Sequence, residues 1–392
     1  MKKLMMCVAA TALILFSGCS ADESIDSSGD LTVEASSNVE VRLSANDNAS
    51  VFGTRAAIIG DVEEVKNLGI FGLARGIQNI NQQALPVTWF DTSQNWSGCI
   101  LNNVRADMTL KEDGTKFSVT MDGAPYFYPI SQFYSYDFYG YHPHSTTITR
   151  GTNSVSAVID IDGTKDVLWG RTVPPTTDEW RNLYAYSAKY FRQFPDDPLP
   201  LIEFKHMLTR LVFYVVPGAD GKGDLTEARR MQVDTLEISD AYTQLSLAVA
   251  DRARFDAPEM IPNLANTVDQ RITPLGEKNG VMLLREEDGI TPAKVSLSNL
   301  SAEEEANGAR LGESIMLYPQ KQYTICVVAS RMQNGVRQRF ITEFPLYLQA
   351  LDESFERGKS YNVKITLHGP QEIELEATLE DWEEVDGPEI EL

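Results

Sequence analysis

From residue 57 onward, apolar residues recur in short stretches that alternate with polar ones: NLGIFGLA (67–74), LPVTWF (85–90), KFSVTM (116–121), YDFYGY (136–141) and TRLVFYVV (209–216). DTLEISD (234–240), QLSLAVA (244–250), YTICVVAS (323–330), YNVKITL (361–367) and EIELEATL (372–379) continue the series. Gly, Pro, Asn and Asp punctuate them. Strand-like stretches with turn signals at this cadence predict β-sandwiches. Helical signals are few. TDEWRNLYAYSAKYFRQF (177–194) has helix-forming composition, and SAEEEANGARL (301–311) reads as a short exposed helix. Upstream, residues 19–50 are rich in Ser, Asp, Asn and Glu, yet Leu31 and Val33, then Val39, Val41 and Leu43, alternate within them. Two readings stay open for this leader: one or two strands, or a linker.

The N-terminus carries two lysines, an apolar run from Leu4 to Phe16, and small residues before Cys19. That run is too short for a stable transmembrane span and reads as a secretory signal over residues 1–18. Leu15-Phe16-Ser17-Gly18-Cys19 resembles a bacterial lipobox, which implies that Cys19 becomes the N-terminus and carries acyl chains such as palmitate. Several chains together hold a protein on a membrane where one would be marginal. Ser20-Ala21-Asp22-Glu23 resembles an export signal of surface lipoproteins, with a solvated linker as the other reading.

The formal net charge is −22, more negative still once Lys2 and Lys3 leave with the signal. Such a balance repels phosphate backbones, so nucleic acid is not an expected partner. Cys7 also leaves with the signal, which keeps Cys99 and Cys326 for either one disulfide or two buried thiols. Three prolines in FPDDPLPLIEF (194–204) oppose both a helix and a central strand. They suggest a boundary between a sandwich over 56–200 and another over 201–392, with the turn PGADGKGD (217–224) as a competing position.

Motifs that would carry chemistry are lookalikes. GKS at 358–360 lacks the upstream glycine of a phosphate loop and runs into a strand. DIDGTKD (160–166) lacks the later bidentate Glu of a calcium loop, and both read as turns. His142 and His144 flank Pro143 without an acidic or cysteine partner nearby in sequence, so no metal site is expected. No cofactor motif is present, and no motif selects the pair of opposed carboxylates a glycosidase needs. The expectation is a non-enzymatic protein. Tyr126, Tyr128, Tyr134, Tyr136, Tyr139 and Tyr141 form a dense aromatic segment that suits either a strand core or a platform for sugar or protein ligands.

Several stretches together resemble one family. They are the lipobox, a polar leader ending in Arg55-Ala56, NLGIFGLA, YDFYGYHP, KDVLWG (165–170), FKHMLTRLVFYVV (204–216), LYPQKQYTI (317–325), FERGKSYNVKITL (355–367) and EIELEATLEDWEE (372–384). In this order and spacing they are similar to the fimbrillin family, the lipoprotein pilins and accessory subunits of type V pili. The resemblance implies two tandem transthyretin-like β-sandwich domains and export as a lipoprotein to the outer membrane and cell surface, within a fimbrium. It implies cleavage after Arg55, with Ala56 as the new N-terminus and 19–55 as a propeptide. Loss of that leader would open an apolar groove for a strand of another pilin subunit.

A donor candidate lies at 372–382, where Ile373, Leu375 and Leu379 share one face, an acidic face lies opposite, and Trp382 follows. Side-chain burial alone does not offset the entropy of ordering ten residues, so ladder hydrogen bonds must contribute. Two functions are expected: a processed pilus and adhesion subunit joined by donor-strand exchange, or an uncleaved surface lipoprotein. The latter would act as an anchor, a tip or a binding module for host glycan or protein.

Overall fold

The structure is a computed structural model that describes residues 36–47, 64–76, 87–90, 98–111, 116–130, 134–173, 175, 179–218, 225–254, 271–348, 353–369 and 372–380. Its first strands are β1 (Ser36–Glu40), β2 (Leu43–Asp47), β3 (Glu64–Gly76), β4 (Cys99–Leu110), β5 (Phe117–Met121) and β6 (Phe127–Pro129). Next come β7 (Tyr134–His142), β8 (Ile148–Arg150), β9 (Ser154–Asp160) and β10 (Leu168–Thr172). Helices α1 (Glu179–Tyr184) and α2 (Ala188–Gln193) then precede β11 (Leu201–His206).

The later strands are β12 (Thr209–Pro217), β13 (Met231–Ala241), β14 (Gln244–Asp251), β15 (Ile272–Pro274), β16 (Gly280–Leu283) and β17 (Val295–Ser296). After α3 (Ala302–Asn307) follow β18 (Ala309–Arg310), β19 (Ile315–Leu317), β20 (Tyr323–Gln333) and β21 (Val336–Leu346). β22 (Ser360–Gly369) and β23 (Glu372–Glu380) complete the described chain. The fold is all-β with minor helices.

The segment of helix-forming composition over 177–194 forms two helices, because Ser187 leaves the helical conformation to cap α2, its hydroxyl accepting from the Tyr190 amide. The short exposed helix at 302–307 carries a full capping box, Ser301 with Glu304. Residues 87–90, expected in a strand, form a loop. Trp89 explains it: its indole N–H donates to the Ala74 carbonyl at 2.9 Å and its backbone N–H to Thr152.

Seven strands close into a barrel in the order β10-β11-β2-β5-β4-β3-β7, with β7 pairing back onto β10. The glycines of NLGIFGLA and YDFYGY permit close approach inside it. A Cβ on Gly69 would fall 2.2 Å from the Tyr141 ring, and one on Gly140 would fall 2.5 Å from the Phe204 ring. β11, just beyond the Pro-rich stretch, belongs to this barrel, and Thr209 begins the next sheet. The chain therefore changes sheets at Met207 and Leu208, both buried.

Three further sheets follow, in the orders β18-β12-β22-β23, β16-β13-β20-β21 and β15-β14-β9-β8. The last mixes strands from both sides of the Pro-rich stretch. Trp169, on β10 of the barrel, fastens this mixed sheet. Its indole donates to the Val249 carbonyl at 2.8 Å, and the Arg271 guanidinium lies 4.0 Å from its ring centroid. Arg271 is 1% exposed and donates to the Ala248 and Val249 carbonyls. A buried cation held by an aromatic face and carbonyls resists removal, because what remains is a cavity and unpaired acceptors.

At one end of the barrel, His142 and His206 both lie opposite Leu168 on neighbouring strands, and His206 Nδ1 contacts the Asp166 carboxylate. Burial pushes the His142 pKa down, a shift that Lys165 reinforces, while Asp166 and nearby backbone groups oppose it.

Two predictions follow from this packing. Arg271→Ala should lower unfolding free energy by about 3–5 kcal/mol and Trp169→Phe by about 2 kcal/mol, with less than additive loss in the double variant, measured by urea titration. Because the His142 pKa is depressed from 6.5 in the folded state, its contribution to stability is present above that value and lost as pH falls below it. Denaturation across pH should show a shallower acid slope in His142→Gln.

Candidate assembly surface

The leader strand β2 sits inside the barrel wall. It runs parallel to β11, with Leu201 opposite Ser44 and Ile202 opposite Ala45, and antiparallel to β5, with Leu43 opposite Val119. The Ser44 amide donates to the Pro200 carbonyl at 2.9 Å and the Val41 amide to Tyr126 at 2.7 Å. Val41, Leu43 and Ala45 are 2%, 2% and 0% exposed. Apolar alternation drives this seating, since it points one side of a short strand at the core while Arg42 stays in solvent. β1 extends the contact by pairing with β6.

At the other end of the chain, β23 lies at a sheet border, antiparallel to β22 along its length from Gly369↔Glu372 to Ser360↔Glu380. Ile373 lies opposite Leu367 in the register. Leu375 is half-buried against the core, Ala377 is buried, and Leu379 is 58% exposed. The apolar face is therefore incompletely covered. Cys19, Arg55, Ala56 and Trp382 lie outside the described residues.

The other candidates resolve differently. Tyr128, Tyr134, Tyr136, Tyr139 and Tyr141 are buried, and Tyr126 is half-buried with its hydroxyl donating to the Asp122 carbonyl. Rings of Tyr128, Tyr136, Phe138, Tyr186, Tyr190 and Phe191 pack against one another below β1, so the tyrosine segment is core and not an exposed ligand platform. Burial pushes the Tyr141 hydroxyl up to about 12, despite bonds to Ser145 and Asn103.

Cys99 and Cys326 are free thiols, and burial raises both, Cys99 to about 12. Asp162 caps Thr164 in the DIDGTKD turn, and Gly358 has a positive φ of 62° in the turn before β22. Among the described residues no cluster of His, Cys, Asp or Glu is arranged to hold a metal, and no helix is long and apolar enough to cross a membrane.

The geometry makes a local prediction. Leu43→Ala should cost about 2–5 kcal/mol of stability, as a core truncation does, whereas Arg42→Ala should be near neutral. Thermal unfolding of the uncut chain checks both.

A model of the fimbrillin-like family matches residues 54–382. A comparison with curated proteins finds no match. Among solved structures, a candidate cell adhesion protein of Bacteroides uniformis is 15% identical, with 88% of this chain and 98% of that chain covered and a TM-score of 0.45. A second, from Bacteroides ovatus, is 14% identical over 90% and 100% of the two chains, with a TM-score of 0.42. The fimbrial anchor protein Mfa2 of Porphyromonas gingivalis is 9% identical over 87% and 98%, with a TM-score of 0.30. With most of its length matched by that one family model, the chain belongs to the fimbrillin-like family.

Proposed function

We propose that this protein is a non-enzymatic subunit of a cell-surface fimbrium, exported as a lipoprotein through Cys19 and processed after Arg55, and that it joins neighbouring subunits by donor-strand exchange. The observation that carries this reading is a correspondence between the two ends of the chain. Val41-Arg42-Leu43-Ser44-Ala45, the buried part of the leader, has the same pattern as Ile373-Glu374-Leu375-Glu376-Ala377 on β23. Both present a β-branched residue, a leucine and an alanine on one face, with polar residues between. Ile373, Leu375 and Ala377 match Val41, Leu43 and Ala45 in order along the apolar face, while Glu376 would stand where Ser44 is buried with its hydroxyl donating to the Pro200 carbonyl.

Cutting after Arg55 separates β1 and β2 from the rest covalently. Loss of β2 would leave β5 and β11 with unpaired amides and carbonyls over an apolar floor, which favours addition of a strand.

A second reading has its own support. β23 pairs within its own chain from Glu372 to Glu380, as expected of an anchor, a tip or an uncleaved surface lipoprotein whose C-terminal strand stays at home.

Mass spectrometry of protein released from the cell surface separates the two. The first reading expects a mature start at Ala56 and heat-labile ladders on a denaturing gel, with ladders abolished by Arg55→Ala. A lipidated start at Cys19 in a protein that runs only as a monomer contradicts it and supports the second.

A further inference from the structure

The longest open sheet border among the described residues is β21. It pairs along its full eleven residues with β20, from Gln333↔Val336 to Tyr323↔Leu346, and no strand among the described residues pairs on its other side. The other borders are shorter: nine residues in β23, five in β1, four in β16, and two or three in β6, β8, β15, β17, β18 and β19. An open edge of this length is a template for strand pairing unless charge or shape prevents it.

The charges on β21 are arranged about one point. Its outward face carries Arg337, Arg339, Ile341, Glu343 and Pro345, all exposed. Arg337 is engaged by Asp234 and donates to the Ser330 hydroxyl. Arg339 and Glu343 have no ion-pair partner among the described residues. Between them stands Ile341, 65% exposed. On the other face, Phe340 and Phe344 are only partly covered by the core.

We propose that β21 pairs with β21 of a second copy of this chain, antiparallel about a two-fold axis at Ile341. In that register each Arg339 faces the partner's Glu343, the two Ile341 side chains meet at the axis, and each Phe340 lies beside the partner's Thr342. Opposite charges on facing residues favour the pair, and every contact occurs twice by symmetry. Sliding the pairing by two residues either way puts Ile341 opposite a charged residue and breaks the Arg339 to Glu343 match. The partner is therefore a copy of this chain, because Arg-x-Ile-x-Glu is its own complement when run antiparallel. Pro345, which lacks an N–H, limits the ladder where it faces the partner's Arg337. This interface is independent of the leader and of any donor strand, and it closes on itself as a dimer.

Sedimentation velocity of the purified mature protein, with thermal unfolding as a control for folding, tests it. The wild type should populate a dimer. Arg339→Glu and Glu343→Arg should each weaken dimerisation by about tenfold, since each places like charges opposite one another twice, and the double exchange should restore it. Ile341→Lys should give a folded monomer that still unfolds cooperatively. A wild type that stays monomeric overturns the proposal, as does a double exchange that fails to restore the dimer. A monomer in which the β21 amides that face away from β20 exchange slowly with deuterium would also overturn it, because another part of the chain would then cover the edge.

Discussion

Closure of the seven-stranded barrel is the constraint on which the first half of the fold depends. Every backbone amide and carbonyl facing a neighbouring strand needs a partner, and a closed barrel has no edge on which to leave them to water. β2 is the member that joins β11 to β5, and it comes from the polar leader, ahead of Arg55 in the chain. The leader is thus part of the folded wall. Its burial of Val41, Leu43 and Ala45 ties the stability of the barrel to a segment within reach of one peptide-bond cleavage.

Side chains and backbone both fasten the remainder of the molecule to this wall. Trp169 on β10 and Arg271 beside β15 join the barrel to a sheet made from both parts of the chain. Met207 and Leu208 carry the chain directly from the barrel into the β12 sheet without a flexible connection. Opening of the barrel at β2 would leave these fastenings in place, since none of the residues involved lies on β1 or β2.

Much of this was legible in the sequence where side chains alternate cleanly. β14 and β22 follow apolar alternation, β12 and β20 are legible as apolar runs, and the leader showed alternation at Val39, Val41 and Leu43. Strands with mixed faces were not legible. β4 (CILNNVRADMTL) and β21 (VRQRFITEFPL) carry charges and amides on their open faces, so their periodicity is masked. The parallel pairing of β2 with β11 joins residues more than 150 positions apart, and no local pattern encodes it. Composition alone could not separate the core and ligand readings of the tyrosines. Their burial follows from β6, β7 and α2 converging on one aromatic cluster.

Under the proposed function β2 is an integral strand of the barrel that another strand can replace, and hydrogen exchange tests that replacement. Cutting the folded chain after Arg55 and displacing the leader should strip protection from the β5 and β11 amides that face β2. A peptide spanning residues 372–380 should restore that protection, whereas the same peptide carrying Leu375→Asp should not. Protection of β5 and β11 that is unchanged by loss of the leader, or indifferent to the peptide, would contradict it.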